Sequence, residues 1–208
     1  MSAHLSLPTT PGGWKCITAD PPWNFKARTA LKLENFHSRR DVEKHYAVMS
    51  LEDIMAMPVK QIAAKDSHLF IWTTGQCLRQ AFDVIEAWGF KYSSVAFTWV
   101  KLKRSHNAMQ LRVLPLDACD LHVGLGLTTR KNAEFCLLSR RGSARRKAKD
   151  VREIILSPRR EHSRKPDEFF PRVEAYCDGP RLELFARETR PGWTAFGNES
   201  TKFNEAAE

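Results

Sequence analysis

The stretch CITADPPWNF, residues 16–25, carries the first structural decision in the chain. Its opening residues continue a short run from Lys15 to Ala19 with the length and composition of a buried strand. The run stops at an acid, Asp20. Pro21 and Pro22 follow, and neither has the N–H that a strand ladder needs. Trp23 closes the turn. A strand that ends on a carboxylate and two stiff carbonyls sets polar acceptors at its tip, where open α/β sheets bind their ligands.

Working outward, Asn24 to Tyr46 is polar and charged without clear periodicity, and so long a connection reads as a functional or disordered loop. Ser50 and Asp53 have capping-box spacing, and Leu51, Ile54, Met55 and Met57 supply the apolar side of a helix. Leu69 to Thr73 reads as a strand. Leu78, Phe82, Ile85 and Trp88 fall at helical spacing, with Gly89 just past the end. Tyr92 to Val100 is aromatic and β-branched, as strands prefer. Lys101 to Lys131 reads as a second long loop.

Glu134 to Ser139 and Val151 to Leu156 read as strands on either side of a very basic turn. Pro166 suits a first helical position, and Phe169, Phe170, Val173 and Tyr176 form a stripe that ends near Gly179. Leu182 to Ala186 and Trp193 to Phe196 close the pattern as strands. Strands alternating with amphipathic helices predict an α/β fold, a mainly parallel sheet with helices on both faces. One domain is expected over residues 14–199, between loose tails at 1–13 and 200–208.

The 208 residues carry a net charge of +9, a balance that attracts phosphate backbones whatever their sequence. Five cysteines, odd in number and without a C-x-x-C pair, read as reduced core packing. Cys119 and His122 form the one faint ligand pair, nothing nearby completes it, and no metal is expected. No segment has the unbroken apolar length to span a bilayer, and the amino terminus lacks a basic region followed by a hydrophobic run. A soluble, cytoplasmic protein with a nucleic-acid partner is the expectation.

The chemistry open to Asp20–Trp23 follows from what an aryl amine lacks. The lone pair of an exocyclic amine such as that of adenine is spread into the ring, so the nitrogen is a poor nucleophile. Two acceptors that take its two N–H hydrogens favour a pyramidal nitrogen with an outward lone pair. Asp20 offers a carboxylate and Pro21 or Pro22 a carbonyl held in direction by the ring. Trp23 offers a face for a base to stack on and for a sulfonium cation to approach. The plainer alternative is a strand-ending turn whose tryptophan merely packs.

The sequence ADPPW after a short strand resembles the motif of the MT-A70 family of amino-methyltransferases, which includes messenger-RNA adenosine methyltransferases and many microbial and phage enzymes. HYAVMSLEDIMAMPV, HLFIWTTGQCLRQAFDVIEAWGFKYSSVAFTWVK, HSRKPDEFF, RLELFAR and PGWTAFGNE continue the resemblance in the family's order, from Cys16 to Glu199. It implies a Rossmann-like methyltransferase fold in permuted order, with the catalytic motif ahead of the cofactor-binding strand. It also implies S-adenosylmethionine as cofactor and N(6)-methyladenine as product. On that resemblance Asp20, Pro21, Pro22 and Trp23 form the catalytic motif, and Asn24 and Tyr46 help shape the substrate side. Asp20 and Ser163 belong to the cofactor site, where Lys165 holds the cofactor's carboxylate. Glu183, Phe185 and Arg187 contact its ribose region, and Asn198 and Glu199 its adenosine end.

Taken singly, Lys165 is also readable as a solvated charge, Glu183 as a water-facing strand residue and Asn198 as a turn residue. Ala186 stands where many relatives have glycine, and Glu199 replaces a glutamine of the eukaryotic catalytic subunit. The zinc-finger and helical extensions of that subunit are missing, so a monomer or homodimer is expected and its obligate heterodimer is not implied. The basic run RRGSARRKAKDVREIILSPRREHSRK is either a solvated hairpin or a phosphate-binding rim, and Arg145, Arg146 and Lys147 are its candidate contacts. The compact chain favours DNA as substrate, with RNA second. The competing alternative is an inactive paralogue that only binds nucleic acid.

Overall fold

Trp14–Ala19 forms β1 in a computed structural model that describes residues 6–23, 49–103, 120–124, 129–161 and 164–204. Downstream come α1 (Leu51–Ala56), α2 (Val59–Ile62), β2 (Ala63–Thr73), α3 (Leu78–Ala87), β3 (Lys91–Leu102) and β4 (Ala133–Arg141). The last elements are β5 (Ile154–Pro158), α4 (Phe169–Tyr176), β6 (Arg181–Leu184) and β7 (Thr194–Phe196).

The strands form a seven-stranded sheet in the order β5-β3-β4-β2-β1-β6-β7. β4 runs antiparallel to both β2 and β3, and the other neighbours pair in parallel. This is the α/β, mainly parallel architecture of a Rossmann-like methyltransferase fold. Its chain order decides where a ligand can sit. From β1 the chain builds outward through β2, then returns to lay β6 and β7 on the other flank of β1. The strand order therefore reverses at β1/β6, and the crevice beyond such a switch point is where open sheets take ligands.

Local signals act where the sequence puts them. Ser50 caps α1 by accepting the Asp53 N–H at 3.0 Å, and its hydroxyl donates to the Asp53 carboxylate at 2.7 Å. Pro58 separates α1 from α2. Gly89 ends the α3 region at φ +80°, a left-handed position that suits glycine.

Alternation along the strands feeds two cores. Ile17, Leu69, Ile71, Leu137, Leu182 and Leu184 face α1–α3, where Ile54, Val84, Ile85 and Trp88 complete the cluster. Phe70, Trp72, Phe97, Trp99, Cys136 and Leu138 face α4 and its Phe169, Phe170 and Val173. Helices thus cover both faces, as expected. Asp20 and Glu183 share the parity of the α4-facing residues, and that places the next site on this face.

Two expectations need correction. β2 begins at Ala63 rather than Leu69, because Trp14 pairs with Ala63 and Ser67 pairs with Arg141. The strands flanking the basic turn do not form a hairpin, since β3 lies between β4 and β5 and pairs with both. Among the described residues, no helix is long and apolar enough to cross a membrane.

Candidate active site

Asp20 is the first residue past β1, level with the ends of β2 and β6, where Ala19 pairs with Ile71 and Leu184. Its Oδ2 accepts a hydrogen bond from the Lys165 ammonium at 2.7 Å, so the carboxylate is fixed with Oδ1 left to accept. The Pro21 carbonyl accepts the Trp23 N–H at 2.8 Å and the Pro22 carbonyl the Met49 N–H at 3.3 Å. Each keeps a second lone pair.

Trp23 corrects the stacking expectation. It is only 5% exposed, and its indole N–H donates to the Trp72 carbonyl at 2.9 Å. The tryptophan pins the turn to the end of β2 and offers no free face to a base.

Lys165 arrives from the segment just ahead of α4, and its ammonium also lies 3.2 Å from Glu134 Oε2. Glu134 in turn takes the ammonium of Lys101. A row of alternating charges, Asp20, Lys165, Glu134 and Lys101, therefore crosses the carboxyl edge from β1 to β3. Burial alone would raise the Glu134 carboxyl, but Lys165 and Lys101 overcome it and hold the group down to about 2. Burial likewise opposes the charge on Lys165, and Asp20 and Glu134 outweigh it, raising the ammonium above the ordinary lysine range. Glu134 was not anticipated as a site residue. Its signal in the sequence is an acid opening an otherwise apolar strand.

The cleft above β1 and β6 is lined by Thr18, Asp20, Trp72, Lys165, Glu183 and Phe185, among others. Glu183 projects from β6, and burial pushes its carboxyl up to about 7; Arg190 opposes the rise while Glu188 and Asp20 add to it. Phe185 sits at φ +61°, a left-handed conformation rare for a bulky residue and of the kind that collects at functional sites. Arg187 lines the cleft and lies 3.9 Å from Glu199. Glu199 is engaged with Lys202 at 2.7 Å, Asn198 is exposed just past β7, and neither is part of the lining. Arg164, Arg190 and Phe203 also line the cleft; sequence reasoning had placed Arg164 only in the basic run and had given Arg190 and Phe203 no role. Ala186, buried at 1% exposure, leaves no room for a side chain at Gly197, where a Cβ would meet Ala186 O at 2.7 Å.

Among the described residues, Thr18 Oγ1, Trp72 Nε1 and Arg164 Nε of this lining are buried without a hydrogen-bond partner, and Glu183 Oε2 and Arg190 Nε have only each other, 3.7 Å apart and beyond hydrogen-bond length. Buried polar groups are normally satisfied, so this concentration points to a polar ligand. The set suits a molecule with a carboxylate for Lys165 and hydroxyls for Glu183. Asn24, Tyr46 and Ser163 lie outside the described residues.

Arg145, Arg146 and Lys147 are not brought to this edge. β4 starts beside the cleft at Glu134 and ends at Arg141, which pairs with Ser67 near the start of β2. The basic turn follows from there, with the Lys147 N–H on the Tyr176 carbonyl at the far end of α4. The length of β4 alone separates the turn from Glu134 by roughly 20–25 Å. The Arg145–Lys147 part of the expected phosphate rim is therefore at the wrong end of the sheet to flank Asp20, whereas Arg164 of the same basic run lines the cleft and Arg159 reaches His122 near it. Among the described residues, no cluster of three or more His, Cys, Asp or Glu could hold a metal ion; Cys119 lies outside them.

The family model MT-A70 matches residues 14–199. The chain is 30% identical over 205 residues to the type II methyltransferase M.MunI of Mycoplasma sp, covering 89% of this chain and 77% of that protein. It is 29% identical to the human N(6)-adenine-specific methyltransferase METTL4, covering 90% of this chain and 37% of that one. It is 27% identical to the MT-A70-like N(6)-adenosine-methyltransferase of Arabidopsis thaliana, covering 90% of this chain and 24% of that one. The chain thus spans most of the mycoplasma protein and a minor part of the other two.

Proposed function

The chain belongs to the MT-A70 family of methyltransferases, and from that premise we propose that it transfers a methyl group from S-adenosylmethionine to the exocyclic N(6) amine of adenine in nucleic acid, DNA being the favoured polymer. The observation that carries the proposal is Asp20, held at the tip of β1 by Lys165 beside the Pro21 carbonyl and opening on a cleft rich in unpartnered polar atoms.

The residues fit the cofactor. Lys165 has a third N–H for its carboxylate, Glu183 Oε2 accepts from its ribose hydroxyls, and Arg187 and Phe185 border the same region. When bound, S-adenosylmethionine supplies an electrophilic methyl group carried on a sulfonium. Asp20 Oδ1 and the Pro21 carbonyl then accept the two N–H hydrogens of the target amine and turn its lone pair outward. The nitrogen would use that pair to form its new C–N bond as the bond from the methyl to sulfur breaks, leaving the neutral thioether S-adenosylhomocysteine and a cationic nitrogen. Its proton is then lost readily, so Asp20 need not be a strong base. Trp23 acts by fixing the turn that carries both acceptors.

DNA is favoured because the likeness to the type II methyltransferase extends over 77% of that protein. RNA is the second choice, since relatives named N(6)-adenosine-methyltransferases match over 90% of this chain. Incubation with labelled S-adenosylmethionine and single- and double-stranded DNA and RNA, followed by nucleoside analysis, tests the proposal. Label on N(6)-methyl-2′-deoxyadenosine is the expected result. Label on the ribonucleoside alone would move the polymer to RNA, and no label on adenine in any polymer would overturn the function.

A further inference from the structure

A second cavity, of about 250 Å³, opens beside the cleft, and its lining includes Gln76, Lys101, His122, Lys131 and Asn132. It shares Glu134 with the charge row that ends at Asp20, so the two depressions are neighbours on one edge of the sheet. Its volume is several times the ~30 Å³ that a water occupies in the liquid.

The cavity has an excess of cations. Lys101 is neutralised by Glu134, but among the described residues the Lys131 ammonium donates to the Thr129 hydroxyl alone, at 2.8 Å. Arg159, which follows β5, reaches His122 Nε2 at 3.5 Å. No carboxylate among the described residues pairs with Lys131 or Arg159. His122 registers the imbalance: burial first, then Arg159 and Lys101, push its pKa below the ordinary value. With Lys101 neutralised, Arg159 beside the imidazole and Lys131 in the same lining leave two cations without a carboxylate, and together they form a site for an anion.

Resting on the proposed reaction, we propose that this cavity binds a backbone phosphate of the target strand next to the methylated adenine, with Lys131 of the lining and Arg159, which stands beside it against His122, as the principal contacts. The basic turn cannot do so for that nucleotide. Its separation of roughly 20–25 Å along β4 corresponds to about seven phosphates of a duplex strand at 3.4 Å each.

The test compares wild type, Lys131→Gln, Arg159→Gln, their double variant, and the pair Arg145→Gln/Arg146→Gln. Anisotropy of labelled DNA and RNA oligonucleotides is followed against salt. Each substitution at Lys131 or Arg159 lowers the slope of log K against log salt by about 0.7–0.9, the contribution of one phosphate contact. The double variant has a raised KM for the oligonucleotide and keeps the wild-type Kd for S-adenosylmethionine, while the Arg145/Arg146 pair leaves the slope unchanged. A wild-type slope in the double variant, or a loss of slope only in the Arg145/Arg146 pair, would overturn the site even if methyl transfer is intact. Absence of methyl transfer from wild type counts against the reaction, and absence of nucleic-acid binding counts against both. The DNA and RNA arms identify which backbone is held.

Discussion

Burial sets the charge of Glu183, whose carboxyl stands at about 7 against an ordinary 4.5. Near neutrality the group is therefore partly protonated in the free protein, and a ribose hydroxyl donates more strongly to the ionised form. Cofactor affinity is expected to fall as pH is lowered through about 7. Glu183→Gln is expected to bind more weakly and without that inflection; calorimetric titration across the range checks it, and a persistent inflection in the variant would assign it to another group. At Lys165 the account is equally specific. Lys165→Ala removes the cation between Asp20 and Glu134 and, on the proposed function, the partner of the cofactor carboxylate. A lost charged hydrogen bond of about 1.5–3 kcal/mol predicts affinity roughly 10- to 100-fold weaker by calorimetry. Equal affinity in variant and wild type would remove Lys165 from the site.

At the scale of elements, Ser50 caps α1 through the Asp53 N–H, and Ser50→Ala is expected to cost about 1 kcal/mol in urea unfolding. That cap, the Gly89 helix end and the existence of each strand, though not the start of β2, were legible because each rests on short-range spacing. What was not legible depends on pairing. Lys65 and Asp66 interrupt the apolar pattern that would announce the start of β2, yet pairing at Ala63 and Ser67 extends the strand through them. The basic turn looked like a hairpin because β4 and β5 are consecutive; β3 between them removes the hairpin, and the antiparallel direction of β4, which starts at the Asp20 edge and ends at the opposite one, sends the turn away from Asp20. Resemblance assigned Asp20 and Lys165, 145 residues apart, to one cofactor site without linking them to each other, and their hydrogen bond is a finding of the structure. Glu134 escaped notice because its partners, Lys101 and Lys165, come from two different parts of the chain. Trp23 was misjudged because exposure cannot be read from residue type.

On the scale of the whole molecule, the same charge row that orders the site couples it to stability. Glu134 has its carboxyl at about 2 in the fold and at an ordinary 4.5 when the partners are gone. A depressed carboxyl contributes stability that is fully present above its unfolded value and is lost as pH falls through the folded one. The acid limb of the stability curve is thus expected to steepen below about 4.5, and Glu134→Gln to flatten that limb in chemical unfolding at a series of pH values. Cations stand at both ends of the sheet, Arg145–Lys147 beyond β4 at one and Arg159 and Lys131 at the other, so composition alone does not say where a polyanion would lie. The central claim remains local: the tip of β1 activates an aryl amine with two fixed oxygen acceptors. Methyl transfer from labelled S-adenosylmethionine by Asp20→Asn, with cofactor Kd measured on the same preparation, tests it most directly. Transfer at least about 100-fold below wild type, with cofactor still bound, is the predicted result, since general catalytic groups contribute on that order. Undiminished transfer by the variant would contradict the account.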